Sequence, residues 1–332
     1  MNVVIIGSGA WGTTLAGLVT RAGSKATLVV RNPETYRSLS KRRRHPVSLP
    51  GYTLPTEVQL ARSIEDALDT GPDLVIVAVP TAAIDDVGEV LARSHYRGPI
   101  VTATKGLDPD TLRTASDRIC DAIEDELRLA VLSGPNLANE IAAGLPAAAV
   151  VAAHDEPVSQ VVRRALMSDG YRVYTSSDVT GVEIAGALKN VIAIGAGIAD
   201  GMNAGQNAKA AYMTRGIAEM ARLGVACGAN PMTFAGLAGI GDLMATCNSE
   251  QSRNHTVGRG LAMGRTLEEI LAGMHEVAEG VPTTKAALRL GKVKGVEMPI
   301  VAQLAAIMYE GLAPEDAIAE LMAREATGEL NF

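Results

Sequence analysis

Aromatic side chains are few in this chain, with two Phe, one Trp and seven Tyr among 332 residues. Hydrophobic residues still make up 47% of it. The core must therefore be built from Ala, Val, Leu, Ile and Met, which suits close packing of helices on parallel strands. An excess of positive charge is also lacking. Thirty Lys and Arg against 37 Asp and Glu leave a net charge of −7, which argues against a nucleic-acid partner held by a basic surface. The basic run Lys41-Arg42-Arg43-Arg44 reads either as a solvated loop or as a local phosphate contact. The three cysteines show no metal-type or redox-type spacing and suit a reducing compartment. No metal is expected, because no ligand cluster offers a site. No apolar stretch of about 20 residues lacks polar interruption, so no membrane span is expected. The first residues read as a strand and not as a secretory signal. The expectation is a cytoplasmic protein whose length suits two domains.

What is present is an alternation. Short, continuously apolar runs occur at Val3–Ile6, Ala26–Val30, Leu74–Val79, Ile100–Ala103, Leu129–Leu132 and Ala148–Val151. Continuous runs imply strands buried on both faces, as in a parallel sheet covered by helices. Helical stretches such as Thr13–Arg21 and Asp85–Arg93 separate them. From Asp178 onward helical patterns take over: Asp178–Ala199, apolar on nearly every face and hence buried, then Asn207–Leu223, Pro299–Tyr309 and Pro314–Ala323. The reading is α/β: a doubly wound, Rossmann-type sheet domain over residues 1–177, followed by an all-α domain over 178–332.

The first strand runs into Gly7-Ser8-Gly9-Ala10-Trp11-Gly12 and a helix follows. Gly7 permits the tight turn, Gly9 lets backbone approach a pyrophosphate, and Gly12 lets helix and strand pack closely. The helix N-terminus, beginning near Ala10 and Trp11, offers free N–H groups and a positive dipole end. A ligand-free glycine turn is the competing reading. Arg31 stands where an acid would hold a ribose 2′-hydroxyl. It can meet a 2′-phosphate, favouring NADP over NAD, or it is a plain surface cation.

Ligands of open α/β sheets sit beyond the carboxyl ends of the strands. Lys105-Gly106 and Ser133-Gly134-Pro135-Asn136 lie at two such ends, although Lys105 alone also reads as a surface lysine. Lys189 lies within Ala185–Ile194, an almost wholly apolar helix. Desolvation lowers the pKa of such a lysine and can make it a general base near neutral pH; a snorkelling side chain or a buried ion pair would also place it there. Asn190 can hydrogen-bond the substrate or orient the amine. Asp242, in Gly239-Ile240-Gly241-Asp242-Leu243, can orient or charge-balance Lys189. Ser252-Arg253-Asn254-His255 suits a phosphate, or is an ordinary polar loop with a satisfied histidine. Glu279 can cap Thr283-Thr284-Lys285 or reach a cofactor.

Together these motifs resemble, in order and spacing and along nearly the whole chain, the bacterial NAD(P)-dependent glycerol-3-phosphate dehydrogenases. The resemblance runs from the glycine turn through Lys105-Gly106, Ser133-Gly134-Pro135, Leu188-Lys189-Asn190-Val191, Asn207-Ala208-Lys209-Ala210-Ala211, Gly239–Leu243, Ser252-Arg253-Asn254 and Glu279-Gly280-Val281. It implies reversible conversion of dihydroxyacetone phosphate to sn-glycerol 3-phosphate, a precursor of glycerophospholipids, in a homodimer joined through the helical domain. It implies Lys189 as the proton-transfer residue. It places Lys105, Gly134, Asn136, Asp242, Ser252, Arg253 and Asn254 on the substrate. It places Ala10, Trp11, Arg31, Arg44, Lys105, Ala138, Arg253, Val277 and Glu279 on NADP or NAD. Two positions depart from the family. Many relatives have Ser where Ala10 and Asn136 stand, so Ala10 keeps only its backbone donor and Asn136 brings an amide. The competing readings are a ketopantoate-type or β-hydroxyacid dehydrogenase, which would need carboxylate recognition, and a non-catalytic NADP sensor, which would have no reason to bury Lys189. A UDP-sugar dehydrogenase would need an activated cysteine.

Overall fold

The computed structural model describes residues 1–274 and 276–324. It divides into two units, one of Met1–Lys105 with Thr114–Val179, the other of Gly106–Arg113 with everything from Thr180 onward. The short segment 106–113 therefore belongs with the helices, although the sequence reading left it with the sheet. Arg289 explains this locally by donating to the carbonyl of Pro109.

The first unit is an eight-stranded sheet of β1 (Asn2–Ile6), β2 (Lys25–Val29), β3 (Gln59–Ala61), β4 (Leu74–Val77), β5 (Ile100–Thr102), β6 (Leu129–Ser133), β7 (Ala147–Ala153) and β8 (Tyr171–Ser176). Their order is β3-β2-β1-β4-β5-β6-β7-β8. The chain reverses direction across the sheet between β1 and β4, which defines the crevice where ligands bind in this architecture. The central strands are buried on both faces as their continuous apolar runs require. Val3 and Ile5 of β1 join one core cluster, Val4 and Ile6 the other.

Two features differ from a uniform parallel sheet. β6 and β7 pair antiparallel, and the connection between them carries the five-residue helix Ala138–Ala142. β3 and β8 are also additional strands. They are edge strands with half-exposed patterns and leave no continuous apolar run.

The second unit is helical. Its central helix, Val179–Gly201, has 94% of its most apolar window buried. By length and composition it could cross a membrane, contrary to the expectation that no stretch would. Its occasional polar residues are too few to mark it off, and in this structure neighbouring helices cover it. Helix Arg253–Ala262 crosses it at backbone distance, since a Cβ on Gly258 would lie 1.8 Å from the Ile194 carbonyl oxygen. That crossing sets residues 252–254 beside the turn of helix carrying Asn190.

Candidate active site

In the first unit the glycine turn is shaped by contact and not only by flexibility. Gly7 has φ +114°, and a Cβ there would lie 2.3 Å from the Ala78 carbonyl oxygen at the end of β4. A Cβ on Gly12 would lie 1.8 Å from the Gly7 carbonyl oxygen. Gly9 differs: a Cβ there would meet no described atom within 4 Å. It is the N-cap of helix Ala10–Arg21 and receives no side-chain cap. The space beside Gly9 is therefore clear, and no side chain caps the start of the helix, at Ala10 and Trp11. That geometry fits a dinucleotide pyrophosphate. Thr14 ties this helix to Ala138, whose carbonyl accepts from its hydroxyl at 3.3 Å.

Arg31 follows β2 and is exposed, as is Arg44. The basic run splits in two. Arg43 turns inward and donates to the carbonyls of Pro55 and Val58, and burial lowers its pKa against the opposing pull of Glu57. It is a loop brace, while Lys41, Arg42 and Arg44 stay on the surface. At the ends of β5 and β6 the Lys105 ammonium donates to the Gly134 carbonyl at 3.0 Å. Asn136 Oδ1 accepts from the Tyr171 hydroxyl at 2.8 Å. Tyr171 was not a candidate from sequence; the alternating pattern of β8, buried at Tyr171 and Val173 and exposed between them, was the signal that could have placed it.

In the second unit Lys189 is 7% and Asp242 2% exposed. The Lys189 ammonium lies 3.0 Å from Asp242 Oδ1 and donates to Thr246 Oγ1 at 2.7 Å. Thr246 in turn donates to Asp242 Oδ1 at 3.1 Å. A snorkelling lysine is thus excluded. The amine is held in the interior, its charge balanced by a carboxylate. Asp242 opens helix Asp242–Asn248, so Thr246, four residues on, shares its face. That spacing was the readable signal for a third member that the sequence reading missed. The neighbouring Cys247 thiol is pushed up to about 12, chiefly by burial, which leaves it inert as a nucleophile.

A second buried chain runs alongside. Asn254 donates to Asn190 Oδ1 at 2.9 Å, and its own Oδ1 accepts from the Gly280 N–H at 2.9 Å. Residues 253–255 are helical and not loop: Ser252 caps helix Arg253–Ala262 by accepting from the His255 N–H. Arg253 donates to the Val277 carbonyl at 2.8 Å and pairs with Glu276 at 3.3 Å, uniting two residues assigned to the cofactor. Glu279 occupies the N-cap position of helix Gly280–Lys294, yet its side chain caps nothing. It has αR geometry, and its carbonyl accepts from Thr283 instead. His255 is buried, with Nε2 2.7 Å from Asp200, which also accepts from Lys209 at 2.7 Å. Burial works against the Asp200 charge, but these two donors hold its pKa below the usual range. Lys189, Asp242 and Thr246 thus form one buried polar cluster of this helical unit, and His255, Asp200 and Lys209 form another. Among the described residues no group of three His, Cys, Asp or Glu is placed to hold a metal ion.

One unit offers an uncapped helix start beside an open glycine turn and the other keeps a charge-balanced amine, provisions that fit a nicotinamide-dependent dehydrogenase, whose protein supplies binding and electrostatics to its cofactor. Residues 2–159 match the N-terminal domain of the NAD-dependent glycerol-3-phosphate dehydrogenases and residues 178–319 match their C-terminal domain. The chain belongs to that family. It is 45% identical to the glycerol-3-phosphate dehydrogenase (NAD(P)+) of Anaeromyxobacter dehalogenans, over 99% of this chain and all of that one. It is 44% identical to the enzyme of the same name from Citrifermentans bemidjiense, over 99% of this chain and 98% of that one. Among solved structures it is similar to glycerol-3-phosphate dehydrogenase from Coxiella burnetii, with a TM-score of 0.92 and 33% identity, covering 97% of this chain and 99% of that one.

Proposed function

We propose that this protein interconverts dihydroxyacetone phosphate and sn-glycerol 3-phosphate with NADP or NAD. The carrying observation is the amine of Lys189 held between Asp242 and Thr246 in the interior. The bound nicotinamide supplies the hydride in reduction and takes it back in oxidation. Lys189 handles the proton: its ammonium polarises the ketone oxygen and protonates it as the alcohol forms, and its neutral amine accepts that proton in the reverse direction. Asp242 balances the ammonium charge, and Thr246 fixes the amine's direction. Arg253 carries the charge that a phosphate needs, with Ser252 and Asn254 holding the start of its helix. Asn190, Lys105, Gly134 and Asn136 complete the substrate contacts.

The turn Gly7–Gly12 receives the pyrophosphate, and Ala138, Lys105, Arg253, Val277 and Glu279 are further cofactor contacts. Arg31 and Arg44 supply the positive charge that favours a 2′-phosphate. The protein acts in the cytoplasm as a homodimer joined through its helical unit, and its product enters glycerophospholipid synthesis. The direct test is oxidation of NADPH by the purified protein on addition of dihydroxyacetone phosphate. No turnover with that ketone, alongside turnover of ketopantoate, would reject the assignment.

A further inference from the structure

The Asn136 carboxamide is half used. Its Oδ1 accepts from Tyr171 at 2.8 Å, while its Nδ2 is buried without a protein acceptor. A buried donor left over in this way calls for a ligand or solvent oxygen. The same turn holds the Lys105 ammonium, 3.0 Å from the Gly134 carbonyl, and the buried, unpartnered hydroxyl of Ser133. The turn thus gathers donors, which matches a ligand rich in acceptor oxygens.

We infer that Tyr171 is a positioning residue for the substrate. Its hydroxyl engages the Asn136 amide oxygen and thereby turns the NH2 edge toward the oxygens of the phosphorylated ligand. An asparagine has two edges of opposite polarity and needs something to choose between them. Tyr171 can make the choice because it is 1% exposed and paired in register with Ala147. The same β7 strand closes under the turn, where a Cβ on Gly134 would come within 3.0 Å of Ala149 Cα. Turn and phenol are therefore fixed by one strand pair. The inference rests on the reading that Lys105, Gly134 and Asn136 contact the substrate.

Steady-state kinetics on the full-length protein test it. Tyr171→Phe is expected to raise KM for dihydroxyacetone phosphate about tenfold, with kcat within about twofold and KM for NADPH unchanged. In an Asn136→Ser background the same change is expected to have no further effect, because the amide it orients is gone. Asn136→Asp replaces the donor edge by an acceptor and is expected to abolish saturation by the ketone while NADPH still binds. An unchanged KM in Tyr171→Phe, an equal loss in the Asn136→Ser background, or an Asn136→Asp enzyme that saturates normally would each overturn the inference. Thermal unfolding with inorganic phosphate separates it from the substrate assignment. If wild type fails to turn over the ketone, yet phosphate stabilises wild type and not Asn136→Asp, the orientation stands and the assignment of substrate falls. If phosphate stabilises both equally, the orientation falls with it.

Discussion

The two candidate sites, one in each unit, are made of different materials. The turn after β1 is made of backbone: its donors are peptide N–H groups, and its shape comes from side chains that are left out. The centre around Lys189 is made of side chains, buried in a helix that has no polar face to spare. A site of missing side chains fails when an atom is added, because the atom takes space that the turn or its ligand needs. A site of paired charges fails when an atom is removed, because the partner is left stranded in the interior. The contrast makes opposite demands on mutagenesis, and each can be broken separately.

The largest effect is expected from removal. Lys189→Ala should lower turnover by about 10³-fold or more, the usual range for a lost proton-transfer group. It should also destabilise the protein by about 3–5 kcal/mol, because Asp242 is left buried without its counter-charge. NADPH affinity, measured by fluorescence titration, should be kept. Near-normal turnover would take Lys189 out of the chemistry.

Addition is the next test. Gly12→Ala places a methyl 1.8 Å from the Gly7 carbonyl oxygen, and the turn must move. A stability loss of about 3 kcal/mol should accompany the loss of dinucleotide binding. Gly9→Ala meets no described atom. It should unfold at the wild-type temperature and yet bind NADPH at least about tenfold more weakly. Equal melting losses in the two variants would mean that the turn is not divided into a packed half and an open half.

The same contrast explains what could be read from the sequence. Backbone sites leave a local signature, because the glycines must be close together in the chain; Gly7, Gly9 and Gly12 could be given roles directly. The central strands were equally legible through their unbroken apolar runs. β3 and β8 were not, since an edge strand needs only one buried face. Side-chain networks are scattered: Asp242 is 53 residues beyond Lys189, and nothing local in the sequence says that they are 3.0 Å apart. Asp242 came within reach because an acid among glycines and apolar residues is out of place, whereas Thr246 carries no such mark. Arg43 was hidden in a run of like charges from which only the fold could single it out.

Glu219 gives a smaller, pH-dependent comparison within the helical unit. Its carboxylate accepts from the N–H groups of Ile300 and Val301, each at 3.0 Å. Burial pushes its pKa up to about 7, against the pull of those two N–H groups and of Arg222 and Arg324. A folded-state pKa above the unfolded value means that the folded protein binds the proton more tightly. The contribution of this group is therefore most favourable below pH 4.5 and is lost as pH rises to about 7, by on the order of 3 kcal/mol. Glu219→Gln should remove that slope from a plot of denaturant stability against pH, whatever it does to absolute stability. A Glu219→Gln slope identical to wild type would assign the pH dependence elsewhere.

The smallest expected effect concerns Arg31, one of the exposed charges proposed to meet the dinucleotide. Arg31 stands just past β2 where an acid would otherwise meet the ribose, and it is solvated. A contact made in water is screened, so it contributes little to binding and acts mainly on the choice between cofactors. Arg31→Ala should lower the ratio of kcat/KM for NADPH to that for NADH by about fivefold, without changing kcat or melting temperature. The shift should shrink further in about 0.5 M salt, where charges more than a few ångströms apart are screened. A ratio that does not move would leave the 2′-phosphate to Arg44 or to no residue at all. A ratio that collapses by orders of magnitude would mean that Arg31 is buried when the dinucleotide is bound, and that this end of the site also works by the rules of paired interior charge.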